Sequence, residues 1–327
     1  MGGAATPLVL PTPFPIGPVN CWVLRGEPLT LIDAGPNTPE ALAALERGLA
    51  DLGLRVEQVE LLLLTHQHSD HIGLARTVKE RSGCAVAAHE LLAGYVHDVQ
   101  ASLAAEDAYE ADVMRLHGTP DALQDAFLAI ARERRAYSSS VVVDAALQEG
   151  DVVQAGGRRL AVSLRPGHSP TDTVFVDAAA RTAFVGDHLL AHISSNPLVH
   201  RPLARPADPR RRRSSLGAYL DSLARTAREE LAVLHTGHGK EISDHRRLIA
   251  ERTRFHRDRM RLVFEELTAG EHSASEISRS LWPELPVSQT YLALSEVLGA
   301  LDVLEEEGRV RSHEDEGRVS YEPVGSP

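Results

Sequence analysis

Four consecutive leucines, Leu61–Leu64, run directly into Thr65-His66-Gln67-His68-Ser69-Asp70-His71. An apolar run this short, with no polar face, reads as a strand buried on both sides, as in the parallel sheet of an α/β fold. His66 and His68 are two residues apart, so an extended backbone points both imidazoles the same way. Asp70 and His71 fall where the next helix, expected over Ile72–Arg81, begins. Three imidazoles and a carboxylate within six residues offer nitrogen and oxygen donors that suit zinc and similar divalent ions.

Further donors follow in chain order, each in a turn after an expected strand and each beside a glycine. His168 follows Leu160–Leu164 in Pro166-Gly167-His168-Ser169. Asp187 follows Thr182–Val185 in Gly186-Asp187, and His238 follows Ala232–His235 in Gly237-His238-Gly239. Glycine lets backbone and side chains crowd a metal closely. Other strands are expected at Val19–Leu24, Leu29–Ile32, Ala85–Ala88, Val141–Asp144, Val152–Gln154 and Thr173–Asp177. A helix over Pro39–Leu52, with Ala41, Leu42, Leu45 and Leu49 spaced for one face, and another over Leu216–Glu230 complete an α/β sandwich pattern.

This order of motifs resembles the metallo-β-lactamase superfamily, whose signature is His-x-His-x-Asp-His followed by separate His, Asp and His. The match covers roughly residues 8–245. The resemblance implies an αββα sandwich with two divalent metals at one edge. By that resemblance His66, His68 and His168 hold the first metal, and Asp70, His71 and His238 hold the second. Asp187 bridges them, and Asp33, in Leu31-Ile32-Asp33-Ala34-Gly35, supports the site from behind. The metals are expected to be zinc, with iron or manganese accepted by the same donors. Two such cations about 3.5–4 Å apart turn a bridging water into hydroxide at neutral pH. Asp70 is then the residue that orients the water or takes its proton. Cys21 and Cys84 are read as small buried hydrophobes, not nucleophiles.

Substrate contacts are less constrained. His188 and His192 flank the Asp187 turn, and one of the two is a candidate to line the substrate pocket. Arg201, Arg205, Arg210, Arg211, Arg212 and Arg213 crowd thirteen residues with only Asp208 opposing. Such a loop is either a solvated surface segment or a clamp for a phosphate-bearing substrate such as an acyl-coenzyme A.

The domain boundary is expected near residue 245, with a helical insertion over about 90–136 in the catalytic domain. Residues 246–327 read helix, helix, helix, hairpin, the order of a winged helix, and resemble the winged-helix domain appended to the lactamase-beta-like, glyoxalase-II-like branch of the family. Ser273-Ala-Ser-Glu276 has capping-box spacing for the second of these helices. Between Val287 and Glu322 three basic residues face nine acidic ones. That argues against a phosphate-binding recognition helix and for a packing or homodimer module, with no duplex DNA expected.

The fold class is therefore α/β, a metallo-β-lactamase sandwich with a small C-terminal winged-helix-like domain. The expected activity is hydrolysis of a small-molecule ester or thioester, acyl-CoA-like being one form. The alternatives are a single-stranded RNA nuclease or phosphodiesterase and, further off, a metal-bound DNA sensor. The helical C-terminal domain of glyoxalase II is not recognisable, so hydroxyacylglutathione is not favoured. With 34 Lys+Arg against 46 Asp+Glu, net −12, the surface does not invite polyanions or anionic membrane. No run of 18 apolar residues crosses a membrane. MGGAATPLVLPTPFPIG has no basic n-region or long apolar core, and with only two cysteines a reduced cytoplasmic setting is expected.

Overall fold

The computed structural model describes residues 5–203, 207–268 and 270–325. The chain divides into two compact units. The first gathers residues 1–103, 134–195 and 228–245, and the second 104–133, 196–227 and 246–327.

In the first unit, one sheet runs in spatial order β1 (Ala5–Leu10), β2 (Val19–Leu24), β3 (Thr30–Ile32), β4 (Leu61–Leu64), β5 (Ala85–His89) and β6 (Ala145–Leu147). β3 to β6 pair in parallel, so their carboxyl ends share one edge. β4 is buried along its whole length. The second sheet contains β7 (Val152–Ala155), β8 (Arg158–Leu164), β9 (Thr173–Asp177), β10 (Thr182–Gly186) and β11 (Val233–Thr236), in the spatial order β11-β10-β9-β8-β7. β10 and β11 are parallel, and β9 lies antiparallel between β8 and β10, so β8, β10 and β11 also end at one edge.

The two sheets close over one core. Trp22, Leu24, Ile32, Leu63 and Ala87 meet Leu160, Val162, Phe175 and Phe184. The helices of this unit are α1 (Pro39–Asp51), α2 (Ser69–Ile72), α3 (Ala75–Ser82) and α4 (Glu90–His97). α1 starts where Thr38 accepts from the Ala41 amide and Pro39 supplies a preset first turn; it buries Ala41, Leu45 and Leu49. This is the αββα sandwich.

Two local expectations shift. β1 is an additional strand, at the sheet edge, where Pro7 faces Trp22 and needs no donor on its open side. The Val141–Asp144 strand is instead a loop leading into β6. Asp144 caps the neighbouring strand there, accepting from the Val86 amide at 2.7 Å, and Val142 is exposed.

The second unit contains most of α5 (Val99–Leu116) and α6 (Asp121–Arg134), then α7 (Ser215–Ala227), α8 (His245–Leu267), α9 (Ala274–Leu281) and α10 (Thr290–Glu306). α9 opens with the expected capping box between Ser273 and Glu276. The hairpin β13 (Val310–Asp315) and β14 (Arg318–Pro323) turns at Glu316-Gly317, and β12 (His272–Ser273) adds to β14. Its core joins Val113, Phe127, Leu216, Val263, Leu294 and Leu301. Among the described residues no helix is long and apolar enough to cross a membrane.

Two buried histidines are expected to make this unit acid-sensitive. Burial, with Arg252 and Arg259 adding to it, pushes His256 down to about 4. Burial and Arg212 likewise depress His117. Both stay neutral in the fold and protonate on unfolding. Their contribution is therefore complete above the unfolded value near 6.5 and is lost as pH falls toward 4. The His256 shift alone corresponds to about 3 kcal/mol. Urea midpoints are expected to drop between pH 7 and 4.5, and less so in His256→Gln. An identical drop in both proteins would refute this source.

Candidate metal centre

The carboxyl ends of β3 and β4 and the start of α2 carry Asp33, His66, His68, Asp70 and His71, and the ends of β8, β10 and β11 carry His168, Asp187 and His238. The fold brings all of these together. His66, His68, His168 and Asp187 offer donor atoms that lie within 4.8 Å of one another, as do Asp70, His71 and His238. His68 Nδ1 is 3.1 Å from His66 Nε2 and 3.0 Å from His168 Nε2. The Asp187 carboxylate stands between the groups: Oδ1 is 3.4 Å from His71 Nε2, and Oδ2 is 3.4 Å from His238 Nε2 and 3.8 Å from His168 Nε2. Asp70 Oδ2 is 3.2 Å from His238 Nε2.

Three rings are held from behind by their outer nitrogen. His66 Nδ1 meets Thr65 Oγ1 at 3.0 Å, His71 Nδ1 meets Asp33 Oδ2 at 2.7 Å, and His238 Nδ1 donates to the Pro18 carbonyl at 2.8 Å. Asp33 also accepts from the Thr65 amide (2.9 Å) and from Thr65 Oγ1 (2.8 Å), so one carboxylate orients two rings. This fixes the tautomers and turns each Nε2 inward, the arrangement outer-shell partners give metal-binding histidines. The turn carrying His238 is fastened by Asn20, whose side chain donates to the Thr236 and Gly239 carbonyls. The turn after β10 is fastened by Ser195 Oγ, which donates to the Asp187 carbonyl at 2.5 Å.

The donor set fits divalent cations on two counts. His71 Nε2, Asp187 Oδ1 and His238 Nε2 are buried and make no hydrogen bond, though all face the cluster. Buried polar atoms without partners are costly, and a cation would satisfy them. The charges also ask for one. Burial alone would depress His71, yet Asp187 and Asp33 outweigh it and raise its pKa well above the usual value. Against the same burial, Asp187 and Asp70 push His238 up to about 10. Asp187 is held low by those two rings in spite of its burial. His66, with burial and neighbouring imidazoles against it, is depressed. A proton on His71 or His238 thus stands where a metal would neutralise the same carboxylates.

The remaining residues separate. His188 is buried with its amide on the Val185 carbonyl, whereas His192 is exposed with its ring against Gly239. In the second unit Arg210 forks onto Glu314 at 2.7 and 2.9 Å. Arg212 is engaged by Asp302, the Tyr321 hydroxyl and His117. The Arg201 amide donates to Glu106 at 2.8 Å; Arg211 and Arg213 are exposed, Arg211 lying 3.8 Å from Asp208. Arg205 lies outside the described residues. Both cysteines are buried, and burial raises both thiols, so neither is a thiolate nucleophile. Sequence reasoning missed Thr65, Gln67, Ser169, Thr171 and Asp172. The signal was a concentration of short polar side chains inside the ligand turns, which read as ordinary turn formers.

The family model of the metallo-beta-lactamase superfamily matches residues 15–238. The chain belongs to the metallo-beta-lactamase superfamily. As such it is a metallo-hydrolase. It is 31% identical over 312 residues to the probable metallo-hydrolase YqjP of Bacillus subtilis, covering 95% of each chain. The metallo-beta-lactamase family protein TTHA1429 of Thermus thermophilus shares 29% identity and superimposes with a TM-score of 0.80 over 98% of both chains. A beta-lactamase domain protein from Burkholderia ambifaria shares 27% identity with a TM-score of 0.83, over 98% of this chain and 93% of that one. A hydroxyacylglutathione hydrolase of Methylobacterium nodulans is 29% identical over 170 residues, 52% of this chain and 48% of its own.

Proposed function

We propose that His66, His68 and His168 hold one divalent ion, that Asp70, His71 and His238 hold a second, that Asp187 joins them, and that the enzyme hydrolyses an ester or thioester. The observation that carries this reading is the convergence of seven donor side chains, with the rings of His66, His71 and His238 tied down by their outer nitrogens. Mixed imidazole and carboxylate donors favour zinc. Ions held by these residues would supply Lewis acidity at this edge of the sandwich. Asp70, facing the cluster through Oδ2, accepts the proton that the attacking water gives up. Asp33 keeps His71 and, through Thr65, His66 in the inward tautomer.

The thioester is favoured because one relative is a hydroxyacylglutathione hydrolase, whose substrate bond is a thioester. Residues 246–327 act in this reading as a winged-helix-like packing module, consistent with their helix-and-hairpin order. The test is elemental analysis of protein purified without chelator, followed by a panel of thioesters, esters, phosphodiesters and short RNAs. Two metals per chain and acyl-bond cleavage are expected. Full activity with one metal, or preferential cleavage of RNA, would overturn the reading.

The phosphate groups of an acyl-coenzyme A are proposed to meet the arginine-rich segment, in which Arg211 and Arg213 are exposed. Replacing both with serine is expected to raise KM for an acyl-coenzyme A severalfold while leaving kcat, and cleavage of a small uncharged ester, unchanged. Equal responses of the two substrates would remove these arginines from the site.

A further inference from the structure

Gln67 sits between two of the metal-centre histidines, yet its side chain serves a third. Its Oε1 accepts from Ser169 Oγ at 2.8 Å and from the Thr171 hydroxyl, both in the turn that presents His168. All three residues are buried. The hydroxyls are themselves pinned: Ser169 Oγ accepts from the Thr171 amide at 3.1 Å. The turn is closed below by Asp172, whose Oδ2 accepts from the Ser169 amide at 2.8 Å. Its base is joined to the end of β4, where the Thr173 amide donates to the Thr65 carbonyl at 3.0 Å. His68 and His168 are the half-buried members of the cluster, so less packing holds them than holds His66 or His71.

We propose that Gln67 is a positioning residue for His168: one buried amide ties the His168 turn to the strand end that carries His66 and His68, and so sets the geometry of that half of the metal centre. The chain puts the tie in the cheapest place. On extended backbone, residue 67 points away from the side taken by 66 and 68. Its amide can therefore bind the neighbouring turn without entering the cluster. A hydrogen bond made only to buried hydroxyls is also shielded from competing water, which gives it directional force. Asp172, a buried carboxylate with no place in the hydrolytic chemistry, has its role here, as the lower clasp of the same turn.

This inference rests on the proposal that His66, His68 and His168 hold a metal, and the experiment separates the two. Apo-protein is titrated with Zn²⁺ and with Co²⁺ against a competing chelator, for wild type, Gln67→Leu, Gln67→Glu and Thr171→Val. Wild type should bind two ions; failure to do so refutes the metal reading itself. Gln67→Leu should weaken one of the two ions by 10- to 100-fold, the usual cost of losing an outer partner, and leave the other unchanged. Its visible Co²⁺ spectrum should change for that ion alone. Gln67→Glu retains a side-chain acceptor and should restore the affinity, and Thr171→Val should weaken the same ion as Gln67→Leu. Two wild-type affinities in Gln67→Leu, or equal weakening of both ions, would overturn the assignment. Thr171→Val keeps the test open should Gln67→Leu fail to fold.

Discussion

Replacing Asp187 with alanine is expected to abolish measurable hydrolysis and to cost at least one metal. Its Oδ2 lies near members of both groups, 3.4 Å from His238 Nε2 and 3.8 Å from His168 Nε2, while Oδ1 faces His71. If Asp187 joins two ions as proposed, alanine would remove a donor from both at once and leave their mutual repulsion less screened. The loss should exceed the roughly 10- to 100-fold that an outer partner costs a metal site. The turn itself should survive, because Ser195 grips the main-chain carbonyl of residue 187 and not its side chain. The expected signature is a folded protein, by circular dichroism, with reduced metal content and no turnover. Wild-type turnover in a metal-replete variant would refute the bridging role.

Gly237→Ala should do comparable damage without touching a donor. A methyl carbon at 237 would lie 2.2 Å from Asp187 Oδ1 and 2.7 Å from His71 Cε1. The backbone cannot retreat, since the Gly237 amide donates to Gly186 and its carbonyl accepts from the Asn20 amide, each at 2.7 Å. The carboxylate and the ring must therefore give way. We expect kcat/KM to fall at least ~100-fold, as small displacements at a reacting centre can cost, with metal content reduced. Gly94→Ala, on α4 with open space around it, should leave both unchanged. An active, two-metal Gly237→Ala protein would show that the cluster tolerates a shift of this size.

Much of the candidate metal centre was legible in the sequence because its richest segment is local. His66, His68, Asp70 and His71 lie within six residues, and strand and helix geometry alone orient them. Single donors such as His168 gained meaning only from their order behind strands. Of the supports only Asp33 was legible, through the family resemblance; the contacts of Gln67 with Thr171 and of Pro18 with His238 were not, because they span 104 and 220 positions. Val141-Val142-Val143 misled for a different reason. β-branched residues favour strands only where a neighbouring surface receives them, and here Val142 faces solvent. The composition of the second unit is likewise a matter of distant contacts: Val113, Phe127 and Leu216 share a core with Leu294 and Leu301.

The donors are divided between the sheets, with four after β4 and three after β8, β10 and β11. Ions held there would act as rivets, and the chain would be inseparable into its two leaves while they remain. Each ion would then add to resistance against opening in proportion to the logarithm of its excess over the dissociation constant, about 2.7 kcal/mol at a hundredfold excess. Scarcity of metal in the surroundings would thus be felt first as shortened lifetime of the polypeptide, through exposure of the inner leaf surfaces to proteases, and only second as missing turnover.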